Sequence, residues 1–428
     1  MHRLLIVFSA ILYLFAGQSF IQAQVTAIRF GRLIDGRGGV TQDAVVVVEG
    51  ERISKVGTGD ASVPLNATVI DLRRYTAFPG LIDAHTHITY YWDKTPGTRP
   101  WAQLGTLGDV VTVFLAQESA RKTLEAGVTT VRDLGSWDYN DIAMRDLINR
   151  GAMRGPRMFV AGHGLHITNY FAKDGIVGPD PGRADGVADV QRVARQQIAA
   201  GADWVKMYGS TGSDQDVTGY QTFTYEEMKA ATDVAHQAGK RIAIHSYGPD
   251  GAKAAIRAGA DSVEHATDMD DETIKELARS NTFYVPTVAH NRYYIEHKDE
   301  FGYDQAVVDR LNGYIERNFE TLRRAVRANV KIAMGSDAVF TGFGENTREL
   351  ETFVKAGMTP AQALATATTN GASLLGMEKS LGTIAPGYFA DIVAVEGDPL
   401  TDIGVVVHGV RWVMKGGRVV VDKSVGKR

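Results

Sequence analysis

Residues 79–87 read Pro-Gly-Leu-Ile-Asp-Ala-His-Thr-His, an apolar run that breaks into two histidines one residue apart. Side chains alternate between the faces of a strand, so His85 and His87 point the same way and can grip one metal ion together. Alone the pair is only moderately specific, because His-x-His also occurs on exposed strands with no ligand. Further candidates recur where other apolar runs end: Lys206, His245, His265, and Asp337 within Met-Gly-Ser-Asp-Ala. Of the 11 histidines, only His2, His236, His297 and His408 lie clearly elsewhere. Imidazole and carboxylate suit a borderline divalent cation such as zinc, and an open coordination position leaves room for water.

The elements that would position these groups alternate along residues 79–376. Strand-like runs fall at 81–85, 128–132, 157–161, 204–207, 241–245, 262–265, 282–288 and 331–335, with amphipathic stretches at 111–126, 187–200, 225–238, 270–279 and 309–328. Eight strands alternating with helices predict an α/β fold, a parallel (β/α)8 TIM barrel whose catalytic groups sit at the C-terminal strand ends. Residues 24–78 and 377–428 are instead rich in β-branched residues punctuated by glycine, and they predict antiparallel strands paired into one composite β-sandwich domain. No tandem repeat or low-complexity stretch is present.

Composition narrows the class. With 428 residues the chain is long enough for a large barrel plus a minor domain. Its 46 basic and 50 acidic residues give a formal charge of -4, which argues against a nucleic-acid partner. The absence of cysteine excludes disulfides, thiolate ligands and cysteine nucleophiles. A basic start, an apolar stretch over residues 4–20 and a small residue at Ala23 form a secretory signal peptide over residues 1–23. The expectation is a mature chain exported to a periplasm or secreted, with no stable membrane insertion after cleavage; an uncleaved anchor is the competing reading, since the stretch is almost long enough to span a bilayer.

The constellation resembles the amidohydrolase superfamily of metal-dependent hydrolases. The resemblance covers nearly the whole mature chain and includes Leu-Gly-Thr-Ile-Ala-Pro-Gly-Tyr-Phe-Ala-Asp-Ile-Val at residues 381–393, which looks like that family's return into the small domain. It implies two divalent metal ions, zinc being allowed, with His85 and His87 on one and His245 and His265 on the other. Lys206, in Ala-Asp-Trp-Val-Lys-Met-Tyr, would be carboxylated and bridge them, because an ammonium cannot ligate a cation while a carbamate can. Asp337 would be both ligand and proton shuttle, and the catalytic set would be Asp337, Lys206 and His245. Taken singly, Lys206 could be an ordinary buried lysine and Asp337 a helix cap. Gly335 beside Asp337 would let the backbone approach the site closely.

Substrate contacts are expected from loops after the strands: Tyr208, His163, His166 and His290, with Tyr90, Tyr91, Trp92, Trp101, Phe171 and Tyr220 as candidate aromatic walls. The sequence looks most like the branch holding Xaa-Pro-type dipeptidases, imidazolonepropionase-like enzymes and ochratoxin-hydrolysing amidohydrolases, in which a tyrosine two residues beyond the lysine helps bind substrate. This implies hydrolysis of an amide in a dipeptide or N-acyl amino acid, ochratoxin A included, with a small molecule as partner; a homo-oligomer is compatible. Competing readings are a cyclic-amide hydrolase and an exported metal-binding protein without activity. No Gly-x-Ser-x-Gly elbow occurs, and Gly162-His-Gly164 and Gly36-Arg-Gly38 lack the third glycine of a dinucleotide fingerprint.

Overall fold

The computed structural model describes residues 25–104, 107–170, 180–213 and 216–424, so the signal peptide expected over residues 1–23 and the wall residue Phe171 lie outside the described residues. Among the described residues, no helix is long and apolar enough to cross a membrane.

The fold is α/β, with one mixed sheet and two parallel ones. The mixed sheet draws on both ends of the chain: β1 Val25–Ile34, β2 Val40–Glu49, β3 Arg52–Thr58 and β4 Thr68–Pro79 from one, and β12 Ile392–Val395, β13 Val410–Lys415 and β14 Arg418–Asp422 from the other. Its order is β14-β13-β12-β4-β1-β2-β3, and the antiparallel pair β4–β12 joins the two ends with Pro79 opposite Ile392. Alternation explains how β2 is buried on both faces. Ala44, Val46 and Val48 enter a cluster with Phe30 and Trp412, while Val45 and Val47 pack against Ala27. Two features differ from expectation. The strands form one continuous sheet, whose distant members share one apolar cluster, and β1 runs parallel to β4 rather than antiparallel.

Between these ends lie β5 Leu81–Thr86, β6 Val128–Asp133 and β7 Arg157–Val160 in one parallel sheet, and β8 Trp204–Tyr208, β9 Arg241–Ser246, β10 Ser262–His265 and β11 Phe283–Val285 in the other. Helices separate most of them and start where the chain supplies caps. Thr224 accepts from the Glu227 N–H and Glu227 returns a bond to Thr224, and Asp270 accepts from the Thr273 N–H at 2.7 Å. The helix expected over 111–126 is broken into Asp109–Leu115 and Gln117–Glu125. The seventh strand stops at Val285 because Pro286 has no N–H and Thr287 turns to φ 46°. Residues 331–335 form no continuous strand, yet they bond to both sheets: Tyr284 N–H to Lys331 O at 2.8 Å and Ala84 N–H to Met334 O at 2.8 Å. On the opposite side, Leu165 N–H donates to Lys206 O and Tyr208 N–H to Leu165 O, each at 2.8 Å.

Candidate metal centre

Strand alternation puts Asp83, His85 and His87 on one side of the chain, and all three are buried. Asp83 anchors the neighbouring loop, accepting from Ser336 N–H and Asn346 Nδ2, each at 2.9 Å. The next residue, Asp337, donates its N–H to His85 O at 2.7 Å. Gly335 allows this approach, since a Cβ there would stand 2.8 Å from His85 Cβ. Asp337 Oδ1 then lies 3.5 Å from His85 Nε2 and 3.4 Å from His87 Nε2. Ligand atoms of these three residues fall within 4.8 Å of one another.

His265 and His245 continue the cluster, with ring centroids 5.1 Å from His85 to His265 and 4.6 Å from His265 to His245. Lys206 reaches the same space, and all six expected ligands line one cavity of about 250 Å³. His265, Thr287 and Asp337 sit at φ 69°, 46° and 53°, a left-handed backbone that costs side-chain-bearing residues about 1–3 kcal/mol each and gathers at functional sites.

A cation fits the donor set. His85 Nε2 and His245 Nε2 are buried without a hydrogen-bond partner, a costly state unless something else takes their lone pairs. Each of the four histidines is driven toward neutral imidazole chiefly by burial, His87 down to about 3. Neutral imidazole is the ligating form. Ring orientation is set from behind: Gly135 O accepts from His87 Nδ1 at 3.1 Å, Glu264 Oε2 from His85 Nδ1 at 2.8 Å, and His265 Nδ1 pairs with the Thr287 hydroxyl at 2.6 Å. Burial also drives the Lys206–Asp337 pair toward neutrality, lowering the ammonium to about 8 and raising the carboxyl.

Of the expected substrate contacts, Tyr208 and His290 line the cavity, His290 Nε2 lying 3.2 Å from Asp337 Oδ2. His163 and His166 are not among its lining residues. His166 is held by Asp180 Oδ1 at 2.8 Å and Ile167 O at 3.2 Å, so it ties its own loop together, and His163 packs edge-on against Tyr139. Tyr90 and Trp101 do form walls, but Trp92, buried in the same aromatic cluster as Tyr90, does not line the cavity, and Tyr220 is exposed. Trp137, Tyr170, Tyr247 and Tyr294 complete the aromatic part of the lining. Two of these carried a signal: Tyr247 follows His245 by the spacing of Tyr208 from Lys206, and Tyr294 is four residues past His290, one helical turn on. Trp137 and Tyr170 lie outside the strands and helices and follow no period.

Tyr208 is seated by a glycine, because a Cβ at Gly164 would come within 2.5 Å of the Tyr208 ring and 3.1 Å of Lys206 Cγ. Gly164→Ala should therefore destabilise the protein by about 1–3 kcal/mol through overpacking and raise KM by displacing Tyr208. Thermal melts with steady-state kinetics read both effects; wild-type values for each would show that the ring relaxes freely.

A sequence model of the amidohydrolase family matches residues 76–420. An ochratoxinase from Aspergillus niger is 30% identical over 95% of this chain and 88% of its own length. The imidazolonepropionase of Streptomyces coelicolor is 26% identical over 84% of this chain and 86% of its own. Among solved structures, a Xaa-Pro dipeptidase with methionine bound in its active site superposes with a TM-score of 0.84 at 33% identity, over 92% of this chain and 99% of that one.

Proposed function

The chain belongs to the amidohydrolase family and is a hydrolase acting on amide bonds; from that premise we propose that it is a binuclear metal enzyme cleaving a dipeptide or N-acyl amino acid, ochratoxin A among its substrates. The observation that carries this is the convergence of His85, His87, Lys206, His245, His265 and Asp337 on one cavity in which two buried imidazole nitrogens have no hydrogen-bond partner among the described residues. The scaffold is proposed as a (β/α)8 barrel. Its support is the bonding of residues 331–335 to β11 and β5 and of Asp203, just before β8, to Val160 at the end of β7, which links the two parallel sheets on both sides.

Two divalent ions, zinc by the chemistry of the donors, would lower the pKa of the attacking water and polarise the scissile carbonyl. The protein's own groups do the rest. Asp337 takes the water's proton on a carboxylate oxygen and delivers it to the leaving nitrogen, serving in turn as base and acid. His290, 3.2 Å away, holds that carboxylate in place. Tyr208 donates its hydroxyl to the substrate carbonyl or carboxylate, and the walls of Tyr90, Trp101, Trp137 and Tyr294 surround a bulky apolar side with little water. Lys206 becomes a ligand when its neutral amine adds carbon dioxide and releases a proton, leaving an anionic carbamate.

Metal analysis paired with a substrate panel tests the proposal. About two divalent ions per chain and turnover of dipeptides or N-acyl amino acids are expected. Turnover confined to cyclic amides would move the substrate class to the imidazolonepropionase side, and full activity after complete chelation would remove the metals from the mechanism.

A further inference from the structure

Beneath the cavity, Arg132 of β6 and Glu264 of β10 form an ion pair in which both side chains are 0% exposed. Arg132 donates Nε–H to Ala84 O at 2.6 Å, one terminal nitrogen to Ser262 Oγ at 2.8 Å and the other to Glu264 Oε1 at 2.9 Å, and its guanidinium lies 4.4 Å from the centre of the Trp204 ring. The Ser262 hydroxyl also donates to Oε1. Oε2 meets His85 Nδ1 at 2.8 Å.

We propose that the Arg132–Glu264 pair is a positioning device that holds His85 as its Nδ1–H tautomer and thereby presents the Nε2 lone pair to the metal centre; the inference rests on the reading that His85 is a metal ligand. Glu264 Oε1 already accepts from the Arg132 guanidinium and the Ser262 hydroxyl, and a carboxylate paired in this way only accepts. The nitrogen of His85 facing Glu264 must then carry the proton. In neutral imidazole this leaves Nε2 as a bare acceptor, and Nε2 is buried with no donor to it among the described residues. A pair that served stability alone would be a poor choice here, because apolar residues of the same volume do as well as a buried ion pair without its desolvation penalty. Arg132 and Glu264 come from strands in different sheets, and Arg132 also grips Ala84 O beside His85, so backbone and ring are fixed by one group.

R132M/E264M removes both charges together, avoids leaving one buried ion unpaired and leaves His85 Nδ1 without its carboxylate acceptor. E264D retains the charge for Arg132 and shortens the reach to His85. Metal content and affinity, measured by elemental analysis and competition with a chromophoric chelator, should show one of the two ions held roughly 10- to 100-fold more weakly in both variants, with melting temperature recorded alongside. If wild type holds two ions and either folded variant keeps both at wild-type affinity, the positioning role is overturned while the metal reading stands. Wild-type protein that binds no divalent ion would overturn the metal reading and this inference together.

Discussion

Asp337→Asn should lower kcat by roughly 10²- to 10⁴-fold while the protein retains its divalent ions and KM changes little. Asparagine keeps the size and one carbonyl-type oxygen of the carboxylate, so ligation persists, but its amide cannot take a proton from water and return it to the leaving nitrogen. The variant should also fold well. Asp337 occupies φ 53°, a left-handed conformation that asparagine tolerates better than most residues, and its position is set by its backbone N–H to His85 O and by the Asp83 bonds to Ser336 and Asn346. A loss confined to kcat marks an interaction made only in the transition state. Paired steady-state kinetics and metal analysis decide it: unchanged turnover would strip Asp337 of its proton-transfer role, and loss of metal with loss of turnover would reduce it to a ligand.

The five residues gathered around that carboxylate were legible because strand periodicity is strict and they cluster toward strand ends. His85, Lys206, His245 and His265 stand within the last three residues of a strand and His87 just past one, and the structure brings them with Asp337 to one cavity. What was not legible depended on neighbours far apart in sequence. Asp180, some 14 residues from His166, captures that ring and keeps it for the loop. Glu264 precedes His265 and reads as an ordinary strand acid until His85, 179 positions away in sequence, is seen bonded to it. Likewise the sheet built from both chain ends could be anticipated from composition, whereas its single-sheet order and the parallel pairing of β1 with β4 follow from tertiary packing, which no alternation pattern encodes. The broken seventh strand had a visible cause in Pro286; the eighth has none in its sequence, and its role emerges only from bonds to β5 and β11.

Lys206→Met should separate stability from function in opposite directions. Methionine fills the buried position with an apolar chain, so the metal-free variant should melt no lower than metal-free wild type, while catalysis falls by about 10²- to 10³-fold or more as the proposed bridging ligand is lost. The sign of the pH dependence follows from burial, which lowers the lysine from its ordinary value of 10.5 to about 8 in the metal-free fold. Between pH 8 and 10.5 the folded state binds fewer protons than the unfolded one, so wild type gains stability as pH rises through that window and bears the full cost of the buried ammonium below it. The melting advantage of the methionine variant should thus be largest below pH 8 and shrink above it. The same shift governs assembly of the site. Only the neutral amine adds carbon dioxide, so at fixed dissolved carbon dioxide and excess metal, reactivation of chelated wild type should quicken about tenfold per pH unit below 8 and level off above. Reactivation that ignores both carbon dioxide and pH would mean that Lys206 enters the centre uncarboxylated, and the two ions would then have to be held without a bridge from it.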